Sequence, residues 1–365
     1  MEKIKVRLAD KSDDPFLNKI LRDNNIGGSI RIAFQRNPSY FDSLKIEGYK
    51  NQVVIGRSEK NRIIGFGSRS LKKAYINGVL TDLGYLGNLR VIKGYKGKGY
   101  LHKGYDYFKS LHQDRKTQLY YSTIFEDNKI GLKILTSKKS YLPFYRDFGR
   151  YLTFAISLNG SRKFSESKLK IENGSKINLK KIAKFIQKNG ARKQFYPYYT
   201  YDDFVSKFPG FKAEDFYVAT RRGKIVGVIG RWDQRKSRQI IVTGYSGAMA
   251  FIRPFYNFIS MLKGASSLPK PNTQINIFYV SFIAIERDDP EILRELIRCM
   301  YKDFSGKGYS HFLIGFHSND RLIEALEGFT HIKIKSRLFV VHWEDGEKAF
   351  KHLDSRVPYV ELATL

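Results

Sequence analysis

Two stretches of the chain look like copies of one another. Residues 53–69 read VVIGRSEKNRIIGFGSR and residues 217–231 read YVATRRGKIVGVIGR. Each is a short apolar strand, a basic polar turn and a second strand carrying Ile-(Ile/Val)-Gly. A second echo lies further along each half. Residues 125–135, FEDNKIGLKIL, and 316–326, FHSNDRLIEAL, both begin Phe-x-x-Asn and both place Leu seven residues after the Asn. An apolar strand, LYYSTIF or HFLIGF, precedes each, and a short helix is expected after it. Duplication of one α/β unit accounts for this pattern; chance similarity of short apolar strands is the competing account. A chain of 365 residues is long enough for two such units.

The stretch LNGSRKFSESKLKIENGSKINLK is polar and contains Gly-Ser twice, so it reads as a linker. The expected division is a first domain over 1–158, a linker over 159–180, a second domain over 170–345 and a C-terminal extension over 346–365. The fold class is α/β (α+β), each domain a mixed, mostly antiparallel central sheet flanked by helices. In the first domain a strand (IKVRLA) and a helix (DDPFLNKILRDN) precede the antiparallel strands NQVVIGR, RIIGFGSRSL and VLTDLGYLGNLRV. Asn77-Gly78 between the last two is a strong hairpin signal. A helix then follows with Leu101, Tyr105, Phe108 and Leu111 on one face.

Between that strand and that helix stands KGYKGKGYLHK, with Lys93, Lys96, Lys98 and Lys103. Positive charge at a helix start opposes the helix dipole, by roughly 0.3–1 kcal/mol per residue close to it. An anion bound there would reverse the sign. Glycine lets backbone N–H groups approach a ligand, and the first-turn N–H groups of a helix lack internal partners, so they suit a pyrophosphate. The second half supplies an internal comparison. Its equivalent helix begins Asp288-Asp289-Pro290-Glu291, the choice that plain helix stability makes. Those carboxylates would repel a phosphate. One copy reads as built for an anion and the other as built only to fold. A solvated basic loop is the alternative.

Lys+Arg is 65 and Asp+Glu is 35, so the net charge is 65 − 35 = +30. That favours an anionic partner such as nucleic acid, an acidic carrier protein, anionic lipid or a phosphorylated cofactor. The lysines are spread along the chain, which fits simple solvation equally well. Cys299 is the only cysteine, which excludes an intrachain disulfide framework and a cysteine metal cluster; within ILRELIRCMY it reads as core. His102, His112, His311, His317, His331, His342 and His352 show no metal-ligand spacing, so no metal is expected. His102, at the loop–helix junction, reads as a phosphate contact or a surface residue. The start MEKIKVRLADKSDD has no apolar signal core and no apolar run is long enough to span a bilayer, so a cytoplasmic protein is expected.

Leu89-Arg90-Val91-Ile92-Lys93-Gly94-Tyr95-Lys96-Gly97-Lys98-Gly99-Tyr100-Leu101 resembles the GNAT superfamily of N-acyltransferases. Its members carry (Gln/Arg)-x-x-Gly-x-(Gly/Ala) after the fourth strand and often read like LRV-x-P-x-YRGKG. Here Lys96 stands where Arg or Gln is usual, and Leu101 where a small residue is usual. A similar large residue occurs in the enhanced-intracellular-survival type of acetyltransferase. Ile124–Asn128, IFEDN, resembles the family's fifth strand and the Asn after it. The second domain resembles the same fold with its cofactor loop lost. The resemblance implies tandem GNAT-like domains and acetyl-CoA, or another acyl-CoA, as co-substrate. Backbone near Leu89 and Val91 would bind the pantetheine arm. Backbone N–H groups of Lys96, Gly97, Lys98, Gly99, Tyr100 and Leu101 would cradle the pyrophosphate, and Asn128 would add a cofactor contact.

The family mechanism is attack of a neutral amine on the thioester. It needs a proton acceptor, an oxyanion-stabilising N–H and often an acid for the departing thiolate. The family's Tyr acid falls at Leu135 here. Tyr145, in SYLPFYRDFG, is the nearest downstream replacement, with core packing as its other reading. The family's Glu on the fourth strand has no counterpart in DLGYLGNLRV, which offers Asp82. Glu126 is the other base candidate, if its pKa is raised, or else a solvated helix-capping residue.

Three functions follow. The first is an N-acetyltransferase acting on an unidentified amine acceptor. The second keeps the fold and takes its acyl group from aminoacyl-tRNA or an acyl carrier, partners suited to the positive charge. The third is non-enzymatic nucleic-acid binding, with aromatics in KGYKGKGYLHKGYDYF or RKQFYPYYTYDDF stacking on bases. The aromatic stretch RKQFYPYYTYDDFVSKFPGF lines an acceptor cleft or packs between the domains.

Overall fold

Asn77 and Gly78 both take positive φ, 52° and 77°, as a type I′ hairpin turn requires. The long hairpin they close is the first landmark of the computed structural model. Residues 4–25, 30–97, 99–159, 164, 167, 169–247 and 269–365 are described. The first half comprises β1 (Lys5–Leu8), α1 (Asp14–Asp23), β2 (Ile30–Gln35), α2 (Tyr40–Leu44), β3 (Lys50–Arg57), β4 (Ile63–Ile76), β5 (Val79–Val91), α3 (Tyr100–His112), β6 (Tyr120–Phe125), α4 (Lys129–Leu135) and β7 (Phe144–Ser157). The second comprises β8 (Lys170–Asn173), α5 (Leu179–Gly190), β9 (Phe216–Arg221), β10 (Lys224–Trp232), β11 (Gln239–Tyr245), β12 (Thr273–Gln274), β13 (Ile277–Ile285), α6 (Pro290–Phe304), β14 (His311–His317), β15 (His331–His342) and α7 (Glu347–Lys351).

Twelve strands form one sheet in the order β1-β3-β4-β5-β6-β15-β7-β14-β13-β10-β9-β8, and β12-β11-β2 form a small second sheet. In the large sheet β5–β6 and β13–β14 run parallel and the other described pairs run antiparallel. This is the mixed, mostly antiparallel sheet expected from the sequence. The halves interleave. Both neighbours of β7 are second-half strands, β14 and β15. Both neighbours of β15 are first-half strands, β6 and β7. Each half therefore completes the other's sheet, which leaves neither with an open edge at the junction. The division at 159–180 remains a proposal about the repeated unit, and backbone hydrogen bonding runs across it.

The repeat is visible in the register. Phe66 pairs with Arg90 and Ser68 with Gly87, so Asn88 and Leu89 together oppose Gly67. Val228 pairs with Ala284 and Gly230 with Ser281, so Phe282 and Ile283 oppose Ile229. Both are β-bulges. Asn88 and Phe282 hold nearly the same positive φ, 58° and 56°. Gly65 pairs with Val91 as Gly227 pairs with Ile285, so the two Ile-(Ile/Val)-Gly motifs occupy equivalent places.

One face of the first half packs α3 against Val54, Leu86, Tyr120, Phe339 and Val341. The other carries α1 and α2 over Val53, Ile55 and Phe66, with Tyr85, Tyr121 and Val360 beside them. The aromatic stretch after Arg192 is packing: Phe195 N–H donates to Tyr75 O at 2.7 Å and Tyr198 N–H to Lys73 O at 2.8 Å, and Tyr196, Tyr199, Phe204, Phe208 and Phe211 are buried. Tyr100, Tyr105 and Phe108 are buried as well, which removes them as a base-stacking platform. The end of the segment expected as a C-terminal extension is interior, with Tyr359, Val360, Glu361, Ala363 and Thr364 all buried. Cys299 is half-buried on α6, and burial pushes its thiol up to about 11. No helix among the described residues is long and apolar enough to cross a membrane.

An ion pair ties β4 to the end of α3. The fully buried Arg69 donates from Nη1 and Nη2 to Asp114 at 2.9 and 2.8 Å, and Lys50 Nζ joins at 2.9 Å. Burial pushes the Asp114 carboxyl up, but the hydrogen bonds from Arg69 and Lys50 outweigh it and hold it well below the usual carboxylate range. A depressed folded pKa adds stability above the unfolded value near 3.9 and loses it as pH falls. Asp114→Asn should cost about 3 kcal/mol at neutral pH by leaving Arg69 unpaired. Urea unfolding should show that cost at pH 7 and progressively less of it as pH falls below the unfolded value, with less than half left at about pH 2; an equal cost at pH 7 and pH 2 would refute the pairing as its source.

Candidate functional site

β5 and β6 run side by side for one step only: Gly84 pairs with Tyr120 and Tyr85 with Tyr121. The bulge at Asn88 then turns β5, and its residues beyond Tyr85 have no pairing partner on β6. The Leu89 and Val91 side chains pack towards α3 and the Tyr100 cluster. Their main chain lines the opening. Tyr85 and Tyr121 stack at 4.8 Å at the last paired step before the strands part.

The basic loop sits at the outer end. Gly99 is the N-cap of α3 with φ 85°, and no side chain caps this helix. A Cβ on Gly99 would meet no atom within 4 Å, so glycine is required there by conformation and the space in front stays open. Lys93, Lys96 and Gly97 are exposed; Lys98 lies outside the described residues. Lys103 turns away and donates to Ile4 O at 3.1 Å. His102 faces Asp106 at 3.4 Å and Tyr141, a surface arrangement. The Tyr100 ring is buried in a slot over Gly56 and Gly65, so only its backbone faces the loop. Leu101 packs beside the α3 core. Asn128 caps α4, accepting from Gly131 N–H at 3.0 Å.

Two of the three proton-transfer candidates meet. Glu126 and Tyr145 line one groove of about 460 Å³, with Lys129, Arg150 and Arg337. Tyr145 Oη lies 2.6 Å from Tyr105 Oη, and burial pushes its phenol up to about 12. Glu126 accepts from Arg150 Nε at 2.8 Å. That hydrogen bond draws its carboxyl below the ordinary value, the reverse of what a neutral-pH base needs. Asp82 lies outside the groove, before the parallel pairing begins, and is held by Tyr49 Oη at 2.8 Å and Lys73 Nζ at 2.9 Å.

A polar cluster that sequence reasoning missed is buried beside α2. Arg36 Nη1 and Arg238 Nη2 donate to the same Glu47 oxygen at 2.9 and 2.6 Å. Ser70 Oγ donates to the other at 3.1 Å, and Arg36 Nη2 to Asn88 Oδ1 at 3.0 Å. Lys72 donates to Tyr121 Oη at 2.9 Å and Thr364 Oγ1 at 3.3 Å; burial lowers its ammonium to about 8. The only local signal was Lys72 inside an otherwise strand-like run, SLKKAYI.

In the second half the chain fills its own cleft. The bulge residue Phe282 donates its N–H to Glu361 Oε2 at 2.9 Å, and Tyr359 Oη donates to the same oxygen at 2.8 Å. At the rim, the buried Lys193 bridges Asp288 and Asp320 at 3.1 and 2.8 Å. Asp289 caps α6 through Glu291 N–H at 2.9 Å, with Pro290 behind it, as expected of a copy without a phosphate loop.

No family model and no curated protein sequence matches the chain. Solved structures do. The chain has the GNAT fold, and its repeated layout is consistent with a tandem of that fold. It is similar to a GCN5-related glucosamine N-acetyltransferase region of a fungal multi-domain GH3 β-N-acetylglucosaminidase, with TM-score 0.62 and 12% identity over 93% of this chain and 38% of that one. It is similar to a GCN5-related N-acetyltransferase from Sphaerobacter thermophilus, with TM-score 0.58 and 12% identity over 99% of this chain and 98% of that one. It is also similar to Saccharomyces cerevisiae N-myristoyltransferase with bound myristoyl-CoA, with TM-score 0.58 and 12% identity over 93% of this chain and 82% of that one.

Proposed function

We propose that the chain is a cytoplasmic N-acetyltransferase that moves an acetyl group from acetyl-CoA to an amine. The observation that carries this reading is the parting of β5 from β6 beside an uncapped, glycine-led helix start. First-turn N–H groups from Lys96 to Leu101 would hold the pyrophosphate, and main chain at Leu89 and Val91 the pantetheine arm. The stacked Tyr85 and Tyr121, at the last paired step of the two strands, would limit the depth open to the acyl group, which is our reason for preferring acetyl to a long acyl chain. The amine nitrogen bonds to the thioester carbon, the C–S bond breaks, the nitrogen gives up a proton to a base or to water, and the thiolate takes one up. Tyr145, protonated at neutral pH, is our candidate donor; Glu126 and Asp82 suit the base role less well, given their cationic partners.

Calorimetric titration tests this. Acetyl-CoA should bind once per chain and more tightly than myristoyl-CoA. Gly99→Glu should weaken it on the order of a hundredfold, by charge repulsion and by strain at positive φ. Unchanged affinity in that variant, with the fold intact, would end the acyl-CoA reading.

The net charge of +30 favours a second reading, an aminoacyl-tRNA or acyl-carrier donor. Partner affinity would then fall steeply with salt as counterions are released; a flat response would count against it.

A further inference from the structure

The face of the sheet opposite α3 carries a buried cluster with more cationic than acidic side chains. Glu47 is fully buried and accepts from both Arg36 and Arg238. Arg238 Nη1 also reaches the oxygens of Ala363 and of Leu365, the last residue, both at 3.3 Å, whereas Arg36 has Glu47 as its one acidic partner. Arg90 adds a third guanidinium. It pairs with Phe66 in the sheet, and Phe66 packs against Tyr40 on the face of α1 and α2. The alternation of the strand puts Arg90 on that same face, opposite Leu89 and Val91. Arg90 is half-buried. Its Nη1 donates to the main-chain oxygen of its neighbour Leu89 at 2.9 Å, and no carboxylate of a described residue forms an ion pair with it. Burial and then the like charge of Arg36 pull its guanidinium below the ordinary value. Lys72 extends the set, held by two hydroxyl groups and no carboxylate. Glu361, the other buried acid nearby, is turned to Phe282 and Tyr359.

Like charges gathered in a poorly solvated wall are costly without a counter-anion. A ligand can bring one. The phosphate loop leads into α3 on the other face, so the anion expected at Arg90 is not the cofactor's pyrophosphate.

We propose that Arg90, backed by Arg36, binds a carboxylate or phosphate carried by the acceptor, so that the acceptor is a small anionic amine. This rests on the acyl-transfer reading. The amine would lie across the cleft from the thioester, its anionic group fixed by a planar guanidinium suited to bidentate binding.

Product-like probes test it without needing turnover. N-acetylglycine is titrated against N-acetylglycinamide, and N-acetylglucosamine 6-phosphate against N-acetylglucosamine, with acetyl-CoA titrated separately. The anionic member of one pair should bind at least about tenfold more tightly than its neutral twin, the usual worth of a charged hydrogen bond. The pair that shows the preference tells carboxylate from phosphate. Arg90→Gln should abolish the preference and leave the acetyl-CoA affinity within about twofold, while Arg90→Lys should keep part of it. Equal binding of both members, or no binding of either anionic probe to a protein that binds acetyl-CoA, overturns the assignment. So does an Arg90→Gln variant that keeps the preference and loses acetyl-CoA. Failure of acetyl-CoA alone to bind, with the anion preference intact, overturns the acyl-CoA reading and leaves the anion site standing.

Discussion

Tyr100→Ala should destabilise the protein by about 3–5 kcal/mol, the range for deleting a buried aromatic ring, and should weaken acyl-CoA binding with it. The ring is 2% exposed and packs against Ile4, Ile64 and Val91. It fits only because two strands carry glycine beneath it. A Cβ at Gly56 would come within 2.3 Å of the ring and one at Gly65 within 2.6 Å. Burial pushes the phenol pKa up, so the group stays neutral and its burial carries no charge penalty. Tyr100 is the first residue of α3, directly after Gly99. The slot therefore clamps the helix start to the sheet, and the loop's N–H groups take their direction from it. Tyr100→Phe loses only a long 3.4 Å bond to Val54 O and should cost less than about 1 kcal/mol. Urea unfolding and acetyl-CoA titration of both variants read the two effects. A stable Tyr100→Ala protein, or an unstable one with wild-type affinity, would show that the ring does not set the loop.

Glu361→Ala should cost about 4 kcal/mol. Two competing effects decide the value. Removing a buried carboxylate recovers its desolvation cost, and burial does push the Glu361 pKa up. Against that, Phe282 N–H and Tyr359 Oη lose their acceptor in a dry interior, at about 1–3 kcal/mol each, and a cavity remains. The unsatisfied donors win, because backbone N–H of a bulge has no other strand to turn to. The pH dependence has a definite sign. A carboxyl raised in the folded state stabilises fully below its unfolded value near 4.3 and less as pH rises through the folded one. Wild-type stability from this group should therefore be lower at pH 8 than at pH 4, and Glu361→Gln should lack that change. Guanidinium midpoints at the two pH values measure it; a wild-type profile matching the Gln variant would mean the carboxyl is not raised.

Short-range patterns were legible in the sequence because short-range physics sets them. The Ile-(Ile/Val)-Gly echo lies at equivalent register positions, Gly65 and Gly227. Asn77-Gly78 turns the hairpin because few other pairs accept positive φ at both positions. The contrast between a glycine-led α3 and an Asp-Pro-led α6 is a property of a few adjacent residues. These determine that the chain repeats an α/β unit and that one copy has an anion-ready helix start.

Only the tertiary structure decided the rest. Nothing local to β7 or β15 says that each completes the other half's sheet. The final residues read only as a C-terminal extension, yet Glu361 is buried beside the second bulge and accepts from its N–H. Arg36, Glu47 and Arg238 meet across nearly two hundred residues, and Glu126 meets the cation that spoils it as a base in Arg150. Periodicity and turn chemistry act within a few residues, whereas strand partners and charge partners are chosen by burial, which depends on the whole fold.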